Sequence, residues 1–113
     1  RGELDNQTIN ICGGITIFRK STIQKIGGWN ESFEGWGGED DFQAIKVKNF
    51  LTWTELPHRC FHLYHNRTQP DMKLYQNNLQ LLNQLTVLNK EDLVKVINMS
   101  LPKIGMKNLY DTN

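Results

Sequence analysis

The sequence predicts an α/β chain in which a few short strands pack against helices. Three observations support this class. A β-branched, apolar stretch at 8–18 predicts a buried strand, and two short stretches at 51–56 and 59–64 predict two more. Apolar residues then recur at helical spacing from 72 to 88. A length of 113 residues fits a single domain, 1–113, built around one core.

The first strand and the first helix are separated by polar residues. The predicted strand runs from Thr8 to Phe18, and the glycine pair at 13–14 interrupts it as a bulge or a close backbone approach. Ser21 is then predicted to cap a short helix with the sequence TIQKI. The glycine pair at 27–28 is typical of a helix C-terminus, so this helix should end there.

A loop rich in aromatic residues and glycine follows at 29–38, with the sequence WNESFEGWGG. The acidic run at 39–41 predicts the start of a second helix, because negative charge is favoured at a helix N-terminus. Three apolar residues should lie on the inner face of this helix: Phe42, Ile45 and Val47. Pro57 then separates the second and third predicted strands.

The C-terminal part, from about 71 to 113, is predicted to be helical. Its apolar stripe consists of Met72, Tyr75, Leu79, Leu82 and Leu85. Asn89, followed three residues later by Asp92, predicts the cap of a last helix. The aromatic and amide side chains at 75–78 are interpreted as packing residues, since a tyrosine at helical spacing is more often part of a core than of a binding site.

Composition excludes several classes of protein. A net charge of +1 leaves no basic surface for nucleic acid, so no nucleic-acid partner is expected. No apolar run approaches the roughly 18 residues that span a bilayer. We expect a cytoplasmic location, including the inner face of a membrane, or the Golgi lumen in a eukaryote. Cys12 and Cys60 form no disulfide framework; buried free thiols are favoured, and a disulfide between them stays open.

The segment WGGEDD at 36–41 has the residue types of a sugar-binding site. A tryptophan offers a flat apolar face to a sugar ring, and paired glycines let backbone N–H groups approach a ligand. A neighbouring carboxylate can accept the proton of an attacking hydroxyl. The acids alone are explained equally well by the helix dipole, which favours them at a helix start.

The second candidate site is the pair His62 and His65 in the sequence HLYH. Taken alone, such a pair more often has structural roles than a metal between them. In a continuous strand the two side chains would point to opposite faces, so they could share a metal only if the strand ended near Tyr64. A zinc site that used Cys60 as well would lack a fourth ligand, and a structural zinc module is not predicted.

These motifs occur together in an order that resembles a known signature. The glycine pair at 13–14 precedes GGWNESF at 27–33, GWGGEDD at 35–41 and H-x-x-H-x-R at 62–67. The combination resembles the C-terminal segment of A-type-fold glycosyltransferases, which β-1,4-galactosyltransferases, chondroitin-synthase-like enzymes and many family 2 transferases share. It covers about residues 11–67. The resemblance implies the C-terminal, acceptor-side part of an A-type nucleotide-diphospho-sugar transferase fold, with few strands packed against helices.

The resemblance also implies roles for single residues. Asp40, directly after W-G-G-E, corresponds to the general base. Single displacement with inversion is expected, because retaining relatives with a similar loop carry a different residue after the glutamate. The residues expected to bind substrate are Trp36, Gly37, Gly38, Glu39 and Asp41.

His65 corresponds to the histidine that completes a divalent metal site, with Mn²⁺ or Mg²⁺ as the implied cofactor. The galactosyltransferases carry a methionine at the position of His62, so His62 is the less favoured ligand. The other ligands in such enzymes come from an Asp-x-Asp motif, and no such triplet occurs in this sequence. The chain is therefore expected to be a fragment that needs the N-terminal, nucleotide-binding half of the same enzyme. Its other expected partners are a nucleotide-sugar donor, of which a UDP-sugar is favoured, and a glycan acceptor.

Two functions from other classes compete with this interpretation. In a non-catalytic carbohydrate-binding module, Trp29, Phe33 and Trp36 would stack on sugars without nucleotide or metal. A glycosidase also needs two carboxylates, but adjacent acids on one helical turn diverge and do not straddle a bond, so this class ranks last.

Overall fold

The structure is a computed structural model, and it describes residues 15–100. Four helices follow one another along the chain: α1 (Lys20–Lys25), α2 (Glu39–Phe50), α3 (Met72–Thr86) and α4 (Lys90–Ser100). About half of the described residues are helical, and none of them forms a strand. No helix in this part of the chain is long and apolar enough to cross a membrane.

The predicted α/β class is therefore wrong for residues 15–100. The stretches 51–56 and 59–64 have no regular structure, and most side chains between 54 and 69 are exposed. Residues 15–18 are also irregular, and the rest of the first predicted strand lies outside the described residues. Strand propensity is a weak preference, and a strand is stable only when it pairs with another strand. These residues pair with no strand in the described part of the chain.

Exposure of this segment also corrects the prediction for the cysteines. Cys60 is an exposed free thiol rather than a buried one. Cys12 lies outside the described residues.

The glycine pair after α1 ends the helix as predicted. Gly27 and Gly28 have φ values of +81° and +62°, in the left-handed region that glycine adopts most easily. Gly28 N–H donates to Ile23 O at 2.9 Å, the long hydrogen bond of a Schellman motif. The start of the helix differs from the prediction, because Arg19 rather than Ser21 is the N-cap and no side chain caps it.

The core lies where α2, α3 and α4 meet. Phe42, Leu85 and Leu93 form its buried centre, and burial of each such side chain contributes roughly 1.5–3 kcal/mol. Phe42 and Val47 confirm the predicted inner face of α2, while Ile45 is half-buried at the edge of the core. The half-buried apolar residues packed around the centre are Phe33, Ile45, Phe50, Leu81, Leu82, Leu88 and Val96.

The helices α3 and α4 are both capped by side chains. Asp71 Oδ1 accepts hydrogen bonds from the N–H groups of Lys73 and Leu74, at 2.9 and 3.2 Å. Asn89 Oδ1 accepts one from Asp92 N–H at 2.8 Å, which confirms the predicted cap. Only part of the predicted stripe of α3 reaches the core, since Leu85 is buried whereas Met72 is 55% exposed.

A buried lysine joins the end of α1 to α2. The side chain of Lys46 is only 2% exposed, and its Nζ donates to Ile26 O at 3.1 Å and to Gly28 O at 2.5 Å. The ammonium group also lies 5.2 Å from the centre of the Phe42 ring. Burial lowers the pKa of Lys46 from 10.5 to about 8, because desolvation disfavours the charged form.

This lowered pKa predicts a rise of stability with pH. Between pH 8 and 10.5 the unfolded chain binds more protons at this lysine than the folded chain, so the free energy of unfolding increases as the pH rises through that window. Relative to Lys46→Met, the wild type should gain about 2 kcal/mol between about pH 8 and 10. Urea unfolding at several pH values measures this gain. The matched control is Lys48→Met, since Lys48 is exposed on the same helix; stability curves for Lys46→Met and wild type that stay parallel would contradict the prediction.

Candidate functional site

The loop between α1 and α2 brings three acids to the start of a helix. It covers residues 29–38 without helix or strand, as the sequence predicts. Gly38 is the N-cap of α2 with φ +89°, and no side chain caps this helix. Glu39, Asp40 and Asp41 form the first turn, where the aligned peptide dipoles favour negative charge.

Packing against aromatic rings explains the two glycines before these acids. A Cβ atom at Gly37 would lie 2.8 Å from the Tyr75 ring, and one at Gly38 would lie 2.8 Å from the Phe33 ring. Both glycines also have positive φ values, +101° and +89°. Their presence therefore follows from the fold itself, and it needs no ligand near the backbone.

Replacement of Gly38 by alanine should destabilise the protein by about 2 kcal/mol, through the strained backbone and the clash with the Phe33 ring. Gly35→Ala is the matched control: its φ is +72°, and the nearest atom to its Cβ is the movable Leu74 Cδ1 at 3.2 Å. Gly35→Ala should lower the free energy of unfolding by about 1 kcal/mol. Chemical denaturation of both variants measures the difference, and equal losses would show that the ring contact at Gly38 is unimportant.

The acids at the start of α2 differ in exposure. Asp41 is exposed, whereas Glu39 and Asp40 are half-buried. Glu39 Oε2 is buried without a hydrogen-bond partner among the described residues, and one turn later the fully buried amide of Gln43 also lacks a partner there. Unpaired polar atoms of this kind cost about 1–3 kcal/mol each. Gln43 was not predicted as a site residue; its only signal in the sequence is an amide next to Phe42 on the inner face of α2.

Trp36 forms the accessible aromatic surface of the loop. Its side chain is 61% exposed, and its ring lies 5.1 Å from that of Tyr75, at an interplanar angle of 32°. Trp29 is also exposed, at 42%. Phe33 instead packs against Phe42 at the edge of the core, with ring centres 6.1 Å apart, and it is half-buried, so it offers a sugar a smaller exposed fraction than either tryptophan.

The side chain of Asn78, on α3, binds the main chain of the same loop. Its side chain is 2% exposed. The amide Nδ2 donates to Glu34 O at 2.8 Å and to Trp36 O at 3.1 Å, while Oδ1 accepts from Glu34 N–H at 3.2 Å. The predicted packing role of residues 75–78 holds for Tyr75 and Asn78, which pack against the loop that carries the candidate site. Gln76 and Asn77 are exposed instead.

The two histidines lie close together on the exposed segment after α2. The ring centres of His62 and His65 are 5.1 Å apart, because this segment is not a strand and need not alternate its side chains. Both rings line an open pocket with Tyr64 and Arg67, and none of the acids of α2 lines it. His65 Nδ1 lies 3.1 Å from Asn66 O, so a proton on Nδ1 leaves Nε2 as the ligand atom.

This pocket meets only part of the requirement of a metal ion. Imidazole nitrogens suit divalent transition metals, but a pair of them supplies at most two ligands. Within residues 15–100 no group of three or more histidine, cysteine, aspartate or glutamate side chains is arranged to hold a metal. The histidines therefore fit as contributors to a site that other ligands must complete.

Comparison with known proteins bears on this loop and on both histidines. A family model described as the N-terminal domain of galactosyltransferase matches residues 3–66, more than half of the chain. The chain belongs to this galactosyltransferase family. No solved structure matches the chain significantly.

Membership of the galactosyltransferase family confirms the resemblance to glycosyltransferases and indicates glycosyl transfer in general. The match includes the loop, the acids and the histidines, and it ends before α3. The description names an N-terminal domain, so it does not support the predicted C-terminal position of this segment.

Proposed function

We propose that this protein takes part in the transfer of a sugar from a UDP-sugar to a hydroxyl group of a glycan acceptor, with inversion at the anomeric carbon. The observation that carries the proposal is the exposed Trp36 ring, which two glycines separate from the acidic first turn of α2 in a galactosyltransferase-family chain. An apolar face beside carboxylates suits a sugar, which has both apolar and hydroxylated surfaces.

Asp40 is the base of the proposed reaction. It accepts the proton of the acceptor hydroxyl while the hydroxyl oxygen attacks the anomeric carbon and the bond to the diphosphate breaks. UDP leaves with the electron pair of that bond. The acceptor ring lies on Trp36, and Glu39 and Asp41 accept hydrogen bonds from its other hydroxyl groups. The main chain at Gly37 and Gly38 lies beside the bound substrate.

A divalent metal, Mn²⁺ or Mg²⁺, would neutralise the charge that develops on the leaving diphosphate. His65 is proposed to provide one ligand through Nε2, and His62 is the less favoured second ligand. The remaining ligands would come from an Asp-x-Asp motif in the nucleotide-binding half of the enzyme, so the 113 residues by themselves should not complete the reaction. We place these residues on the acceptor side because Trp36 and the acids suit an acceptor sugar.

A carbohydrate-binding module is less well supported by the structure. Of its three aromatic residues, Phe33 packs at the edge of the core, which leaves Trp29 and Trp36 exposed. An assay of UDP release from several UDP-sugars, with glycan acceptors and with Mn²⁺ or EDTA, separates the two functions. We expect metal-dependent release that the acceptor stimulates, and an inverted linkage in the product by NMR. Glycan binding without nucleotide or metal, and without turnover in the enzyme that contains the nucleotide-binding half, would favour the module.

A further inference from the structure

We propose that α3 sets the acceptor-binding geometry of the loop, with Asn78 as a positioning residue and Tyr75 as the support of the Trp36 ring. This inference rests on the proposed function and deepens it. Asn78 comes four positions after Leu74 and three positions after Tyr75, so these three residues share one face of α3. Each of them contacts the loop between Glu34 and Gly38. We call this set of contacts the loop clamp.

The amide of Asn78 fixes the main chain on both sides of Gly35. It donates two hydrogen bonds, to Glu34 O and Trp36 O, and accepts one from Glu34 N–H. Only a side chain with a donor and an acceptor at the same position satisfies these three groups. The Asn78 side chain is buried and the three bonds are partly buried, so a residue that lacks the NH₂ group removes the donor of two partly buried carbonyl oxygens.

Tyr75 supports the indole ring of Trp36, whose main chain is bound by Asn78. Its ring lies 5.1 Å from that of Trp36 and also fills the space above Gly37, where a Cβ atom would come within 2.8 Å. One side of the indole is thereby supported while 61% of the side chain stays exposed. A supported ring loses less conformational entropy when a sugar stacks on it, because its orientation is already restricted.

The α3 side of the clamp lies outside the segment that matches the galactosyltransferase family, whereas the loop lies within it. That segment ends at residue 66, and α3 begins at Met72. The acids come from the matched segment, whereas the orientation of the neighbouring tryptophan depends on α3. Acceptor selectivity should therefore depend on residues of α3 that touch neither the donor nor the metal.

The test is Asn78→Asp with Asn77→Asp as the matched control. Both variants make the same change of charge on adjacent residues of α3, but Asn77 is exposed. Aspartate at 78 still accepts from Glu34 N–H, yet its second oxygen faces the two carbonyl oxygens that the amide bound. In the enzyme we expect the KM for the acceptor to rise about tenfold or more, with the KM for the UDP-sugar within about twofold. Asn77→Asp should leave both constants unchanged.

A second readout follows the loop without catalysis. The indole N–H signal of Trp36 in a ¹⁵N spectrum, assigned with Trp36→Phe, should shift or broaden in Asn78→Asp. The signal of Trp53, which lies in the irregular segment after α2, should not change. If Asn78→Asp does not fold, Tyr75→Ala and Tyr75→Phe replace it, since neither removes the hydrogen bonds of Asn78. Loss of the ring in Tyr75→Ala should raise the acceptor KM, and Tyr75→Phe should restore it.

Two results would overturn the clamp. The first is an unchanged Trp36 signal in Asn78→Asp, and the second is an acceptor KM that rises no more than the donor KM. An absence of transfer by the wild-type enzyme with every acceptor would instead contradict the proposed function. The Trp36 signal then still decides whether α3 positions the loop.

Discussion

Asp40→Asn should lower kcat by on the order of 100-fold while the melting temperature stays nearly unchanged. Asparagine has almost the same shape as aspartate and suits the first turn of a helix, so α2 should keep its start at Glu39. The substitution removes the negative charge that is proposed to accept the proton of the attacking hydroxyl. A loss of that size corresponds to about 2.7 kcal/mol of transition-state stabilisation.

Asp41→Asn is the matched control for this substitution, because it removes the same charge one residue later on the exposed side of α2. It should raise the acceptor KM and change kcat little, as expected for a residue that only binds substrate. If the acids served only the helix dipole, each variant would lose a few tenths of a kcal/mol of stability and keep its turnover. Normal turnover in Asp40→Asn would therefore remove Asp40 from the mechanism.

The features predicted correctly from the sequence depend on residues that are close along the chain. Gly27 and Gly28 end α1 through hydrogen bonds to residues three and five positions earlier, and Asn89 caps α4 by binding Asp92 N–H three residues later. Such contacts form whenever the helix forms, so their residue types are visible in a short window of sequence. The same holds for the acidic start of α2, which the structure places at Glu39.

The predicted strands fail for the opposite reason. Residues 51–56 and 59–64 have the composition of strands, but a strand also needs a partner elsewhere in the chain, and composition does not reveal one. The relation between the histidines changes as a result. Their expected separation on opposite faces assumed a strand, whereas the irregular segment places the two rings 5.1 Å apart.

The candidate site shows the same division between local and distant contacts. The segment WGGEDD identifies the loop and the acids because they are consecutive. The role of Asn78 could not be predicted, since its partner Glu34 lies 44 positions earlier and helical spacing does not specify what a face contacts. Lys46 and Gln43 are further examples: both are buried on α2, where their polarity predicts exposure.

His65→Ala should raise the Mn²⁺ concentration for half-maximal activity on the order of 100-fold. Loss of a group that only orients a metal ligand already lowers metal affinity about 10- to 100-fold, and loss of the ligand itself should lower it at least as much. His65 is the better candidate because its Nδ1 lies 3.1 Å from Asn66 O. A proton on Nδ1 would orient the ring through this contact and leave Nε2 for the proposed metal. Activity of His65→Ala as a function of Mn²⁺ concentration measures the effect. Saturating Mn²⁺ should recover much of the lost activity.

His62→Ala and His58→Ala are the controls for this prediction. His62 lines the same pocket and its ring neighbours that of His65, so its loss should raise the required Mn²⁺ concentration less than the loss of His65. His58 is exposed and does not line the pocket, so its replacement should have no effect. Equal shifts at 62 and 65 would mean that the two imidazoles bind the metal together. No shift at 65 would mean that the metal lies elsewhere, and the pocket at 62–67 would then have no part in the reaction.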